Sequence, residues 1–213
     1  MAMQNLDLEE QEQLASVKAW WKDYGGLVLG LITAAALALA AWQGWNWYLR
    51  QQALQAGALY EALLKAVQES NVKDVRDTAG ALAESHPRTL YAAMGALTVA
   101  RYYHDRGDAK AAKAQLQWAV ERSVSGELRD LARLRLAALL LDEKAYDEAL
   151  RALEAAHGAA FDAQYALLKG DVLAAKGQPA EAKAAYKLAL EKSEPRNEAF
   201  RAGIELRLDA LGG

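Results

Sequence analysis

A chain of 213 residues with no cysteine has no route to a disulfide framework or a thiolate metal site. Its formal charge of −3 is uneven: residues 1–24 carry two lysines against five carboxylates, and residues 50–213 carry 23 basic against 23 acidic side chains. A balanced domain lacks the basic stripe that neutralises phosphates, which argues against nucleic-acid binding.

The first 24 residues are too few for a domain. Within them Leu14, Val17 and Trp21 recur at i, i+3, i+7 among Glu10, Glu12 and Lys18. This spacing predicts a short amphipathic cytoplasmic helix over residues 1–24, or equally a helical extension of the apolar stretch that begins at Tyr24.

From Tyr24 to Leu49 there is no charge; Asp23 and Arg50 end the run. Trp20 and Trp21 stand at one edge, and Trp42, Trp45 and Trp47 at the other. Indole rings prefer the headgroup region, where the ring is buried and the N–H stays wet. About 20 apolar residues cover the hydrocarbon core, so residues 25–47 are expected to form a transmembrane helix in a lipid bilayer. Ala38-Leu39-Ala40-Ala41 has the small-x-small spacing of a signal-peptidase site. Against cleavage stand the long acidic leader, the apolar character continuing to Tyr48, and Trp at both ends. Lys18 and Lys22 flank one end and Arg50 the other, which favours a cytoplasmic N-terminus. Gly26, Gly30, Ala34 and Ala38 lie four apart on one stripe, either a packing face for a membrane partner or the ordinary small-residue content of such helices.

From residue 50 the chain is rich in Ala and Leu, and the whole sequence has three prolines. This composition predicts an all-α domain over residues 50–213. Three segments repeat a helix, a short turn and a second helix opening with acidic residues and alanine: residues 91–122, 128–157 and 161–192. Ala112, Ala149 and Ala182 match. Ala100, Ala137 and Gly170 precede them where two helices must cross closely. Leu116, Leu153 and Tyr186 come after them as bulky groups, then Ala119, Ala156 and Ala189 as the next small ones. Gly107 and Gly177 suit the turns, and Pro179 suits a first helical turn. The period resembles a tetratricopeptide α-solenoid. Departures are Ala96, Arg133 and Ala166 at the signature Trp position, Lys144 in place of a turn Gly, and a closing proline only at Pro195. Residues 53–86 read as a repeat-like pair broken at Ser70-Asn71, whose spacing fits the consensus poorly; its first helix is free to continue from the anchor. Phe200, Ile204, Leu208 and Leu211 form one apolar face, which suits a capping helix over residues 196–211.

No constellation for chemistry emerges. His86, His104 and His157 are isolated and lack metal-ligand spacing, and no nucleophile elbow or phosphate-cradling loop is present, so the expectation is a non-enzyme without cofactors. Arg129, Arg133 and Arg135 interleave with leucines and read as edge positions of one helix rather than a binding strip. Repeat register places Arg101, His104, Leu134, Leu141, Leu167 and Asp171 on the concave face, as a partner groove.

Three stretches, Val17 to Gly25, Leu131 to Ala137 and Leu168 to Gly177, together resemble the ancillary SecYEG translocon subunit family (YfgM-like) of Gram-negative bacteria. That resemblance implies an inner-membrane protein with a periplasmic tetratricopeptide-like domain. It also implies association with SecYEG and the membrane-anchored periplasmic chaperone PpiD, and a role in handing over newly translocated client polypeptides. It brings no catalytic residues. The alternative is a cell-envelope scaffold or regulator that uses the same repeats to bind an envelope-assembly enzyme or a cytoplasmic regulator.

Overall fold

The computed structural model describes residues 8–212, with side chains from residue 12 onward. The start of the expected 1–24 segment, Asp7 included, lies outside the described residues. Nine α-helices and one 3-10 turn (Ala159–Phe161) make up the described secondary structure, with no strand among the described residues. The chain falls into two compact units, residues 1–51 and 52–213.

Helix α1 is continuous over Leu8–Gln68. Among the described residues it is the helix long and apolar enough to cross a membrane, with mean hydropathy 2.0 over its most apolar window. In the first unit Leu27, Leu29, Leu31, Ile32, Leu37 and Leu39 are all exposed. A soluble surface does not carry so many adjacent apolar side chains, whereas hydrocarbon tails cover them at no cost. Trp20 and Tyr24 lie ring to ring at 5.8 Å, and Trp45 and Tyr48 at 5.9 Å.

The second unit contains the end of α1, α2 (Val72–Ser85), α3 (Leu90–His104), α4 (Ala109–Arg122), α5 (Gly126–Asp142), α6 (Tyr146–Leu153), α7 (Asp162–Ala175), α8 (Pro179–Lys192) and α9 (Glu198–Ala210). Consecutive helices pack as pairs, and α5 also touches α3 and α7, so the first helices of successive pairs share one side of the array. The domain is all-α and tetratricopeptide-like.

The turns show why the register holds. Gly107, Lys144 and Gly177 all have positive φ, at 78°, 59° and 82°. In each turn the next residue's N–H reaches back five residues: Asp108 to Tyr103, Ala145 to Leu140, and Gln178 to Leu173. This is the left-handed helix termination that glycine adopts most easily. Lys144 adopts it without being glycine. The pair at residues 53–86 uses the same turn, with Ser70 at φ 57° and Asn71 N–H donating to the Ala66 carbonyl. The four left-handed residues are 37, 37 and 33 positions apart. The poor consensus of this pair is therefore a matter of side-chain size. Where later pairs have Ala100, Ala112 and Ala119, this one has Leu63, Val75 and Leu82, all fully buried. Gly95 of α3 accommodates the excess, since a Cβ there would stand 2.9 Å from Leu82 Cδ1.

Ala112, Ala149 and Ala182 have no exposed surface, and Ala100, Ala137, Leu116, Leu153 and Tyr186 are buried. Ala156 differs: it is exposed, because α6 stops at Leu153. Side chains take over from the missing helical turns. Asp130, only 7% exposed, accepts from Gly158 N–H at 2.9 Å and pairs with Arg133 at 3.1 Å, while Arg133 also donates to the Ala156 carbonyl at 3.0 Å. Tyr165 donates to the Asp130 carbonyl at 3.0 Å. Ile204, fully buried, seats α9 on α8 with Phe200, Leu208 and Leu211 around it.

Candidate functional site: the groove between α3 and α5

A cavity of about 230 Å³ opens between α3, α4 and α5. Ala100, Ala112, Leu116 and Leu139 form its apolar lining. The alanines are small because the helices cross there, and the same smallness leaves the space open. Arg101 and His104 from α3, and Arg135 and Asp142 from α5, supply its polar groups. The α5 contributors Arg135, Ala138, Leu139 and Asp142 sit at i, i+3, i+4, i+7, one face of a helix. Arg135 is exposed as a residue, and partial desolvation of its guanidinium, then the positive charge of Arg101, lower its pKa below the ordinary arginine value.

Of the six residues expected on the concave face, the structure brings Arg101 and His104 together in this cavity. Leu134 and Leu141 are half-buried against the central core. Leu167 packs against the C-terminal core. Asp171 accepts from Tyr186 Oη at 2.9 Å and from Arg207 Nε at 2.8 Å. On α5 the groove thus uses Arg135 and Asp142, one position along from the expected Leu134 and Leu141. The three arginines of α5 are not a free strip. Arg129 donates to the Ser123 carbonyl at 2.6 Å, Arg133 is held by Asp130, and Arg135 donates to the Leu97 carbonyl at 3.4 Å.

The histidines have individual settings. His86 is buried and bonds Gln52, and His157 stacks on Tyr165 at 3.9 Å with Asp162 3.5 Å away. Burial, and next the Asp130 charge, push the Tyr165 pKa up to about 12. Burial and the bond to Asp171 raise that of Tyr186 too. Neither phenol faces the α3–α5 groove.

In the first unit Gly26, Gly30, Ala34 and Ala38 are exposed, and a Cβ on Gly26 or Gly30 would meet nothing within 4 Å. The face is open to close approach. Trp21, Trp42, Trp45 and Trp47 are exposed, as is Trp20, and the Trp21 ring lies over Gly25, where a Cβ would be 3.1 Å away.

A family model described as a tetratricopeptide repeat-like domain matches residues 18–213. The chain is 31% identical over 208 residues to a Neisseria gonorrhoeae protein named ancillary SecYEG translocon subunit, covering 96% of this chain and 98% of that one. It is 28% identical to a Haemophilus influenzae protein of the same name, over 85% of this chain and 89% of the relative. An Escherichia coli protein so named is 29% identical, over 83% and 85% of the two chains. Matched along nearly its whole length, anchor and repeats together, the chain belongs to the ancillary SecYEG translocon subunit family.

Proposed function

We propose that this protein is a single-pass accessory subunit of the SecYEG translocon in the bacterial inner membrane. Its N-terminus lies in the cytoplasm and its repeat domain in the periplasm, where it scaffolds the membrane-anchored chaperone PpiD and helps hand over newly translocated polypeptides. The observation that carries this reading is similarity to proteins named for that complex over almost the whole of both chains. The physical features agree with it. The Trp-bounded helix holds the domain at the membrane and raises its local concentration beside a channel. The open Gly26–Gly30–Ala34–Ala38 stripe gives another membrane helix a place to pack. The α3–α5 groove offers an apolar lining with charged residues among it, a surface for binding chain rather than transforming it.

The test is affinity purification of the full-length protein from membranes in mild detergent, with mass spectrometry of what accompanies it. SecY and PpiD should co-purify, and SecY should be lost when Gly26 and Gly30 are both changed to Leu. Recovery of neither from the unaltered protein sinks the proposal. Recovery of both with the Leu variant leaves the complex and removes the stripe as its docking face. A cysteine placed at Ala160, the chain having none of its own, should label with a membrane-impermeant maleimide from the periplasmic side. Labelling only after the inner membrane is opened reverses the topology.

A further inference from the structure

Arg88 is exposed and pairs with no carboxylate among the described residues. An exposed arginine needs no explanation by itself. What singles this one out is where the chain holds it. Helix α1 runs through Trp47 to Gln68 without a break. Gln52 therefore lies only a short way beyond Trp47, about 8 Å at 1.5 Å per residue. His86, 7% exposed, is hydrogen-bonded to the Gln52 side chain. That bond ties the α2–α3 loop, residues 86–89, to the stretch of α1 that leaves the anchor. The spacing is set along the chain and by one hydrogen bond, so it holds at any inclination of the second unit.

Trp47 belongs at the headgroup level. The headgroup layer is roughly 5–8 Å thick on each side of the hydrocarbon core, so Gln52 and the loop beside it stand at its outer edge. The loop is preset in shape. The ring of Pro87 fixes φ. Thr89 donates from Oγ1 to the His86 carbonyl at 2.8 Å and accepts from Ala92 N–H at 3.2 Å, which caps α3. Arg88 is carried on this closed turn, on a stem that lies along apolar surface while its head reaches charge. Two apolar side chains at the same end of the unit, Leu54 and Leu90, are 67% and 49% exposed. Water covers such groups poorly, and the interfacial layer of a bilayer covers them well. We propose that the α2–α3 loop is a second membrane contact, in which the Arg88 guanidinium binds a phospholipid phosphate of the leaflet at the Trp42–Trp47 end of the anchor. The planar fork offers two parallel N–H donors to the phosphate oxygens. Glu84, exposed on the last turn of α2, carries the opposite charge, so the contact depends on the fork and not on a basic field. The inference rests on the reading of α1 as a membrane anchor. It gives the repeat domain two attachments, the helix itself and Arg88, which together limit its rotation above the bilayer.

The test is fluorescence quenching of the full-length protein in nanodiscs of phosphatidylcholine and phosphatidylglycerol. The chain has no cysteine, so single cysteines at Ala34, Val72 and Ser85 each take one fluorophore. Val72 and Ser85 are the two ends of α2, about 20 Å apart at 1.5 Å per residue. Lipid carrying a nitroxide on its headgroup should quench Ser85 and leave Val72 bright. Lipid carrying the nitroxide deep in its acyl chain should quench Ala34. R88Q should bring the Ser85 quenching down to the Val72 level, and R88K should keep part of it. An unchanged thermal melt establishes that R88Q folds. Quenching at Ser85 no greater than at Val72, or quenching that R88Q leaves intact, overturns the proposal. If Ala34 is quenched and Ser85 is not, this inference fails and the anchor reading stands. If Ala34 is not quenched, the anchor reading fails, and the loop assignment stands only where the Ser85 signal is still lost in R88Q.

Discussion

Replacing Gly170 with alanine tests whether the repeat's small positions are set by contact or by composition. Gly170 is buried on α7, and a Cβ there would lie 2.3 Å from Cε1 and 2.4 Å from Cδ1 of Tyr186. Carbon atoms in contact stand about 3.5–4.0 Å apart, so the ring must retreat by more than 1 Å. It has nowhere to go: Tyr186 is 3% exposed, packs in the C-terminal core, and donates to Asp171 Oδ1 at 2.9 Å. Overpacking a core costs about 1–3 kcal/mol, and this contact belongs at the upper end. Losing a hydrogen bond to a carboxylate adds about 1.5 kcal/mol. Alanine's better helix propensity returns about 1 kcal/mol, leaving a net loss of about 3 kcal/mol. For a domain of this size that lowers Tm by about 6–12 °C, read by far-UV circular dichroism of the detergent-solubilised protein. The sign should reverse with the ring removed. On a Tyr186→Ala background, adding Gly170→Ala should stabilise by about 1 kcal/mol, because only helix propensity then remains. An equal penalty in both backgrounds would refute the steric argument.

Lys144→Gly should stabilise by about 1 kcal/mol, since a side chain in the left-handed region costs about 1–2 kcal/mol; a Tm that does not rise contradicts the turn assignment. Gly177→Ala should cost a similar amount, and because nothing lies within 4 Å of its Cβ the effect is conformational rather than steric. Asp130→Ala should destabilise by about 3 kcal/mol, leaving Arg133 and Gly158 N–H without their buried acceptor, with the loss of amide protection confined to residues 154–162. Asp130→Asn, still able to accept from Gly158, should cost less. The Tyr165 phenol, pushed up to about 12, keeps in the fold a proton that the unfolded chain releases near pH 10. Its contribution is therefore whole below about pH 10 and is lost as pH rises toward 12; Tyr165→Phe should flatten the fall in urea midpoint over that window.

The anchor and the helix pairs are legible because their signals are local. A run without charge bounded by Trp needs no tertiary context, and Gly107 and Gly177 announce turns by their chemistry. The turns at Ser70 and Lys144 carry no such mark, as neither residue prefers the conformation its neighbours impose. The first pair hides its kinship because Leu63, Val75 and Leu82 fill the positions where alanines stand later, and the compensating space is Gly95, on another helix. The groove is half legible for a different reason. Helix α5 packs against α3, α4, α6 and α7, so its apolar residues run nearly all the way round. Hydrophobic periodicity then fixes no direction: the repeat register points to Leu134 and Leu141, and the cavity is lined one position along, by Arg135 and Asp142, about 100° round the helix.

The least regular backbone and the groove wall coincide in the middle repeat. It contains the strained Lys144, the eight-residue α6 and a segment after Leu153 held by Asp130 and Arg133, and its first helix supplies Arg135 and Asp142. In a repeat array each unit is stabilised chiefly by its neighbours, so a weak unit opens before the rest. Native-state hydrogen exchange should therefore show amides of α6 and the end of α5 opening at a free energy lower than those of α8 by at least about 1–2 kcal/mol, the cost of a side chain in the left-handed region. Lys144→Gly should narrow that gap. Equal opening free energies across the domain would mean that the repeats open as one unit, and the middle repeat would then hold no special place in its stability.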